Sequence, residues 1–500
     1  MEKIMKARLA STGEYIQYVA TEKPPKGSMK YTYFTPDRSK VIQFFNDPEK
    51  AARDTSMRSR VDAIIGRYNP TKPASAGGSG GGNERTAKYF SEMFCWPEDT
   101  ICEPEYGVVC PAFPQRFLLP DNACIKGTLA ENGIGKRDKI TTLFTNPAYR
   151  QRLRPELLGD FRGMLSCALM LSKAVWRMHI AGLAHTDLSC NNVLIDPVSG
   201  TSIIIDIDTL AVPGIFSPVV SGSSRYLAPE VLETLNLSAG QRTPASALTD
   251  DYAMSVLIYE ILLHRHPLIG RKQDLVSSTK GSKFSLNPFV FGSGALFIEN
   301  PVETINRPDN LRITIDDMGR ELKDVFLAAF VDGLHDPQRR PGADQWVRAL
   351  ESAYDKLQPC SNPNCPEGWF VLHNTERPVC PFCGTPVRRG ENLRLHLCAQ
   401  LDLLPGQWYE NRVLNGYDGL ELHQWHVRSD FSNDSDSDKQ PFARLQRSKN
   451  GWQLENLSNE LMLTGSGTYC PPGGRIAIKP GMTLKAGDSS AAFLIDIREE

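Results

Sequence analysis

The sequence predicts a multidomain α+β protein in which a mostly β segment gives way to a mostly helical one, followed by a cysteine-rich knuckle and an all-β tail. Three observations predict it. Short runs of alternating apolar and polar residues fill the first part, apolar residues spaced by three and four fill the middle, and four of the twelve cysteines form two close pairs beyond Pro359. At 500 residues the chain exceeds what one hydrophobic core usually supports, about 250 to 300 residues, so several domains are expected.

Composition narrows the function classes. With 41% hydrophobic and 23% charged residues and a formal net charge of -2, the chain gives no bulk electrostatic reason to expect nucleic acid, and any anionic ligand must be held locally. The start, MEKIMKARLASTGEYIQ, has no apolar core of a secretion signal, and the longest apolar stretches, near 202–216 and 253–263, are interrupted and too short to span a bilayer. A cytoplasmic protein with no membrane partner is expected.

Taken in order, EYIQYVA, MKYTYF and KVIQFF alternate between Pro, Gly and Asp turns and read as a small antiparallel sheet. ASAGGSGGG, Ala74–Gly82, reads as a flexible insertion. Between Pro155 and Gly182, LLGDFRGMLSCALMLSKAVWRMHIAG has the period of a long buried helix, and further helical patterns cover 250–264, 319–332 and 343–357. Cys360 and Cys365, then Cys380 and Cys383 flanking Pro381, have the spacing of a closed four-thiolate site, which suits tetrahedral structural Zn²⁺ in a reducing compartment better than disulfides. The other eight cysteines read as inert thiols. Beyond Asn392 the runs are strand-like, and the acidic stretch Ser429–Asp438 reads as a solvated loop.

The chemistry concentrates in HTDLSCNNVLID, His185–Asp196. Phosphoryl transfer needs a carboxylate to orient an attacking hydroxyl and take its proton, and a nearby amide oxygen to hold magnesium; Asp187 and Asn192 fit these parts. The strand TSIIIDIDTL then ends in Asp206, placed to bridge magnesium to phosphates, with Asp208 two residues on and on the same side of the strand in a supporting part. Followed by SSRYLAPE, TDDYAMSVLIYEILLHRHPL and HDPQRRPGADQW, these motifs resemble the eukaryotic-type protein kinases. The resemblance implies a two-lobed kinase fold, with an N-lobe over 1–116 and a C-lobe over 117–358, and transfer from ATP with Mg²⁺ to Ser/Thr hydroxyls of a protein substrate. It also implies that Asp250 braces the loop at Asp187, that Arg340 pairs with Glu230, and that Ser223 or Ser224 are activation-loop sites.

The sequence departs from that family in several places. KVIQFF offers Gln43 where the phosphate-gripping lysine normally stands, and alternation turns Lys40 to the opposite face. In PPKGSMKYTYF, Gly27 lies in a phosphate-covering turn and Lys30 on the strand leaving it, which resembles the with-no-lysine kinases; Lys30 is expected to supply the charge. Thr186 and Ser189 replace the usual Arg and Lys of the loop. Glu84 and Glu92 are both candidates for the helix-C glutamate. The adenine-binding hinge is expected over Val109–Phe113, with Val109, Ala112 and Phe113 in it.

The knuckle and tail complete a resemblance that covers nearly the whole chain. A zinc ribbon is expected over 359–390 and an all-β sandwich over 391–500, whose Trp452, Leu454 and Asn456 resemble a forkhead-associated (FHA) domain without its phosphothreonine-reading signature. With LAHTDLSCNNVLIDPVSG, IDIDTLAVPG, LFIENP, AFVDGLHDPQRRP and CPFCG, the order of domains resembles bacterial Ser/Thr kinases encoded in the tellurite-resistance-associated triads. That resemblance implies a von Willebrand factor A (VWA) protein and a metal-dependent phosphatase as partners. Two alternatives stay open: a pseudokinase or nucleotide-gated scaffold, which the missing lysines favour, and a small-molecule phosphotransferase.

Overall fold

The structure, a computed structural model, describes residues 3–27, 29–72, 84–120, 123–125, 139–144, 150–218, 222–277, 288–374, 376, 378–388, 390–400, 407–427, 440–486 and 493–498. The Gly-rich insertion and the acidic Ser429–Asp438 stretch lie outside the described residues. The chain divides into two compact units, one of residues 1–159, 163–311 and 325–347, the other of 160–162, 312–324 and 348–500.

In the first unit, strands β1 Lys3–Leu9, β2 Tyr15–Ala20, β3 Lys30–Phe34, β4 Lys40–Phe45, β5 Asp99–Glu103 and β6 Gly107–Pro111 close a barrel in the order β1-β2-β3-β4-β6-β5. Alternation sends Ala7, Tyr18, Ile42, Phe44, Ile101 and Val109 inward, with Tyr31 and Tyr33 packed against them. The opposite parity of β4 and β6 (Phe45, Val108, Cys110) packs outside the barrel against Ala51 and Val61. Those two residues belong to helices α1 Pro48–Arg53 and α2 Thr55–Ile65, whose starts are set by Asp47 and Asp54, each accepting a backbone N–H of the first turn. Helix α3, Glu84–Ser91, precedes β5.

The helical part follows: α4 Ile140–Phe144, α5 Phe161–Ile180, the hairpin β7 Val193–Asp196 and β8 Thr201–Ile204, α6 Pro229–Thr234 and α7 Ala247–Leu263. Helix α7 is buried on every side from Thr249 to Leu263, as a helix apolar all round must be. Arg340, buried, makes a bidentate pair with Glu230 at 2.7 and 2.8 Å and also donates to the carbonyls of Gly333 and Leu248.

In the second unit, β9 Leu357–Pro359 and β10 Trp369–Val371 pair beside the four cysteines. Among the described residues, ten strands between Leu393 and Arg498 then form one six-stranded and one four-stranded antiparallel sheet. Their shared core takes Leu395, Leu397, Ile495 and Ile497 from the first sheet and Phe442, Leu445, Trp452 and Leu454 from the second. No helix among the described residues is long and apolar enough to cross a membrane.

Candidate functional site

The site forms where β8 ends. Asp206 adopts left-handed backbone, φ 64° and ψ 43°, and the chain turns into a short 3-10 helix, Ile207–Thr209, instead of continuing as strand. Asp is among the few non-glycine residues that tolerate this region. The turn corrects the expectation that Asp206 and Asp208 share one side of a strand: the bend at Asp206, and not strand alternation, brings both carboxylates to one cation.

Lys30 is that cation. With Tyr31 and Tyr33 turned toward the barrel core, Lys30 points out of it, and its Nζ donates to Asp206 Oδ1 at 2.9 Å and to Asp208 Oδ1 at 2.5 Å. Burial alone would push the Lys30 pKa down, but the charges of Asp208 and Asp206 outweigh it and raise the value, so Lys30 stays an ammonium. That ammonium holds Asp206 below the usual carboxylate range against the opposing effect of burial, with lesser help from Lys139. Asp208 Oδ2 is buried without a hydrogen-bond partner among the described residues. Gly27 donates its N–H to the Lys30 carbonyl at 2.7 Å, folding the preceding loop back onto β3. Gln43 pairs with Thr32 and so lies on the same outer face as Lys30, one register step along; Lys40 is engaged elsewhere, with Glu98 at 2.6 Å.

Glu84 and Glu92, the two candidates for the helix-C glutamate, are both exposed. The helix that packs against Ile207–Thr209 is α2, and its buried polar residue is Arg60, which donates to the Ser217 carbonyl at 2.6 Å and lies 5.6 Å from the Phe216 ring centroid. Lys30 therefore takes its buried partner from Asp208, in the turn after β8, and not from α2 or α3.

The loop from His185 to Asn192 is pinned from below by Asp250, on α7, whose carboxylate accepts the N–H of His185 at 2.6 Å and of Thr186 at 2.8 Å. These two bonds hold Thr186 at φ 65°, a costly conformation for a β-branched residue. His185 Nδ1 accepts from the Asp187 N–H, so Nε2 carries the proton and donates to the Ile205 carbonyl at 2.9 Å. Asp187 is held at both oxygens: Ser223 Oγ donates to Oδ1 at 2.7 Å and Asn192 Nδ2 to Oδ2 at 3.0 Å. Asn192 also donates to the Asp187 carbonyl at 2.8 Å, which commits its nitrogen and leaves Oδ1 as its acceptor. The structure thus ties Asp187 to Asn192 and Asp206 to Lys30 within the same unit.

The hinge residues are placed less simply. Val109 points into the barrel and its carbonyl already accepts from Glu98; Ala112 donates its N–H to Ser39 at 2.9 Å; Phe113 packs with Cys95, Phe117, Leu194 and Ile203. Sequence reasoning missed Arg60 and Lys139. No motif marks either one, and the only signal in Arg60 was a cation at an inward helical position.

In the second unit, the Sγ atoms of Cys360, Cys365, Cys380 and Cys383 lie within 4.8 Å of one another, with Cys360–Cys383 at 3.5 Å and Cys365–Cys380 at 3.7 Å. Tetrahedral zinc with Zn–S near ~2.3 Å would separate its sulfurs by about 3.8 Å. The thiolate set therefore fits zinc. The Thr385 contacts draw the Cys383 thiol down to about 6, while burial pushes Cys380 up.

The family described as protein kinase domain matches residues 149–348. Solved structures with similarity include a rhoptry kinase from Toxoplasma gondii, 13% identical over 71% of this chain and 82% of that one, TM-score 0.40. A Toxoplasma gondii specific rhoptry antigen kinase domain is 14% identical over 70% and 86%, TM-score 0.41. A Toxoplasma gondii virulence factor with a protein-kinase fold and no enzymatic activity is 13% identical over 71% and 83%, TM-score 0.41. No curated protein matches the sequence. The stretch that matches the protein kinase domain family, residues 149–348, holds the Asp187 loop, the Asp206 turn and the Arg340–Glu230 pair.

Proposed function

We propose that the chain transfers the γ-phosphoryl group of ATP to Ser/Thr hydroxyls of a protein substrate. The observation that carries the reading is the pairing of Lys30 with Asp206 and Asp208 beside a loop in which Asp187 and Asn192 are locked together. Lys30 arrives from β3, so one cation supplies the phosphate-facing charge that Gln43 lacks. Asp187 takes the proton of the attacking hydroxyl at Oδ1, the oxygen that the Ser223 hydroxyl now occupies, while Asn192 fixes the other oxygen and so the orientation of the carboxylate. Asn192 Oδ1, Asp206 and the orphaned Asp208 Oδ2 form an oxygen donor set that suits magnesium, and Asn192 with Asp206 would hold it. Bound there, the ion neutralises phosphate charge.

A second reading, a nucleotide-gated scaffold, is favoured by Ser189, which is fully buried and brings no charge to the site. Single-turnover transfer from γ-labelled ATP with magnesium separates the two. Label on a protein acceptor or on the chain itself in wild type, lost in Asp206→Ala, supports the kinase. Magnesium-dependent ATP binding without label supports the scaffold. On this reading the four cysteines hold structural Zn²⁺, and the two-sheet tail is FHA-like. The VWA protein and phosphatase implied by the triad resemblance are the partners to test by co-purification.

A further inference from the structure

One electrostatic need of phosphoryl transfer is unmet by the residues above. Negative charge gathers on the oxygens of the transferring group, and cations fixed around it supply much of the stabilisation. Lys30 reaches Asp206 from the barrel, but the loop beneath offers no cation. Ser189 is buried, and its Oγ accepts the Asn191 N–H at 3.3 Å, which commits it to holding the loop's own shape.

Lys139 approaches from the helical side. It immediately precedes α4, and its backbone pairs with Leu118 in an isolated bridge. Helix α4 is fixed to β7 through Thr141, fully buried, whose hydroxyl accepts the Ile195 N–H at 3.0 Å. These anchors set the Lys139 ammonium on the carbonyl of Asn191, one residue before Asn192. Lys139 has no carboxylate in an ion pair with it among the described residues, and that neutral carbonyl is its partner. A half-buried cation whose partner among the described residues is a neutral carbonyl gains from an anion beside it. Burial pushes the Lys139 pKa down, while the charge of Asp206 acts on it in the opposite sense, so the two groups sense each other across the site.

We propose that Lys139 is a second phosphate-binding cation, gripping from the helical side the triphosphate that Lys30 grips from the barrel, and filling the part that Ser189 cannot. The inference rests on the kinase reading. In the transfer, the bond from the γ-phosphorus to the bridging oxygen breaks as the bond to the acceptor oxygen forms. ADP leaves with the electron pair and Asp187 takes the acceptor proton. Lys139 stays protonated throughout and contributes charge alone.

The test uses the full chain as wild type, Lys139→Ala and Lys139→Arg, with affinities for MgATP and for adenosine by calorimetry and single-turnover transfer at saturating ATP. In Lys139→Ala, MgATP affinity should fall about ten- to a hundredfold, with adenosine affinity within about twofold of wild type. Transfer should slow by about tenfold or more, and Lys139→Arg should restore most of both. A variant that merely loosened the fold would lose ATP and adenosine alike, and that result, or an unchanged ratio with wild-type transfer intact, overturns the role of Lys139 while leaving the kinase reading in place. A wild type that binds MgATP but transfers nothing removes the transferase reading; a selective loss of MgATP affinity in Lys139→Ala would then still uphold the phosphate grip.

Discussion

Removing the charge of Lys30 exposes the energetics of the Asp206–Asp208 turn. Lys30→Met keeps most of the apolar stem and strips two carboxylates of their cation. Asp206, 38% exposed at its side chain, can recover water, whereas Asp208, at 2%, cannot, and its Oδ2 already lacks a partner. At 2.5 Å and an effective dielectric near ~20, the Lys30–Asp208 attraction is about 6 to 7 kcal/mol, and desolvating the two groups offsets several of these. The carboxylate left alone in Lys30→Met should then cost about 3 to 5 kcal/mol of stability. Lys30→Met combined with Asp208→Asn should cost less than the sum of the single changes, with a coupling of about 1.5 to 3 kcal/mol. Equilibrium urea unfolding measures this, provided the midpoints move while m stays constant. Single and double variants that add within about 0.5 kcal/mol, or a Lys30→Met protein as stable as wild type, would refute the claim that Asp208 is the buried partner of Lys30.

Other outcomes follow from the same geometry. Arg340→Ala should destabilise by about 3 to 5 kcal/mol in thermal or urea unfolding, and Arg340→Lys should recover under half, because an ammonium cannot make the two-pronged contact to Glu230. Asp251 is pushed up to about 7 by burial, with the charge of Asp250 adding and those of His179 and Arg340 opposing. Its folded pKa thus lies above its unfolded one, so the folded state keeps a proton that the unfolded chain releases from about pH 4, and stability falls as pH rises to about 7. Asp251→Asn should flatten that slope and be the more stable protein at pH 8. The purified chain should carry one zinc per molecule. A strong chelator, or Cys380→Ser, should remove it and raise proteolytic cutting between Cys360 and Cys383, where Phe370 and Leu372 pack around the buried Cys380.

The stretch that matches the protein kinase domain family was legible because its signals are local. HTDLSCNN and IIIDID each fit in a few residues, and the four cysteines announce their meeting by spacing alone. Alternation also turned Lys40 to the face opposite Gln43 without any three-dimensional information. What stayed hidden depends on non-local pairing. Which helix faces Asp208 is decided by where the chain re-enters after β4, so the packing of α2 on the Ile207–Thr209 turn, and with it the place of Arg60, has no signature in the sequence. The left-handed turn at Asp206 is likewise invisible in a run of isoleucines that reads as continuous strand. Lys139 is brought in by Thr141 and a single bridge to Leu118, contacts that leave no pattern in sequence.

The ring of six strands has a mechanical consequence. Because β1 closes against β5 as well as β2, the sheet has no free rim, and each stave is braced by two neighbours. An outside chain cannot enlarge such a hoop by adding a strand of its own, so whatever docks on this part of the molecule must read loops or helical surfaces. Nor can β3 slide along β4 without dragging the hoop out of register. The stave that carries Lys30 is paired with β4 along its whole length, from Lys30 opposite Phe45 to Phe34 opposite Val41, before any nucleotide arrives, and little freedom is left for that lysine's backbone to lose on binding.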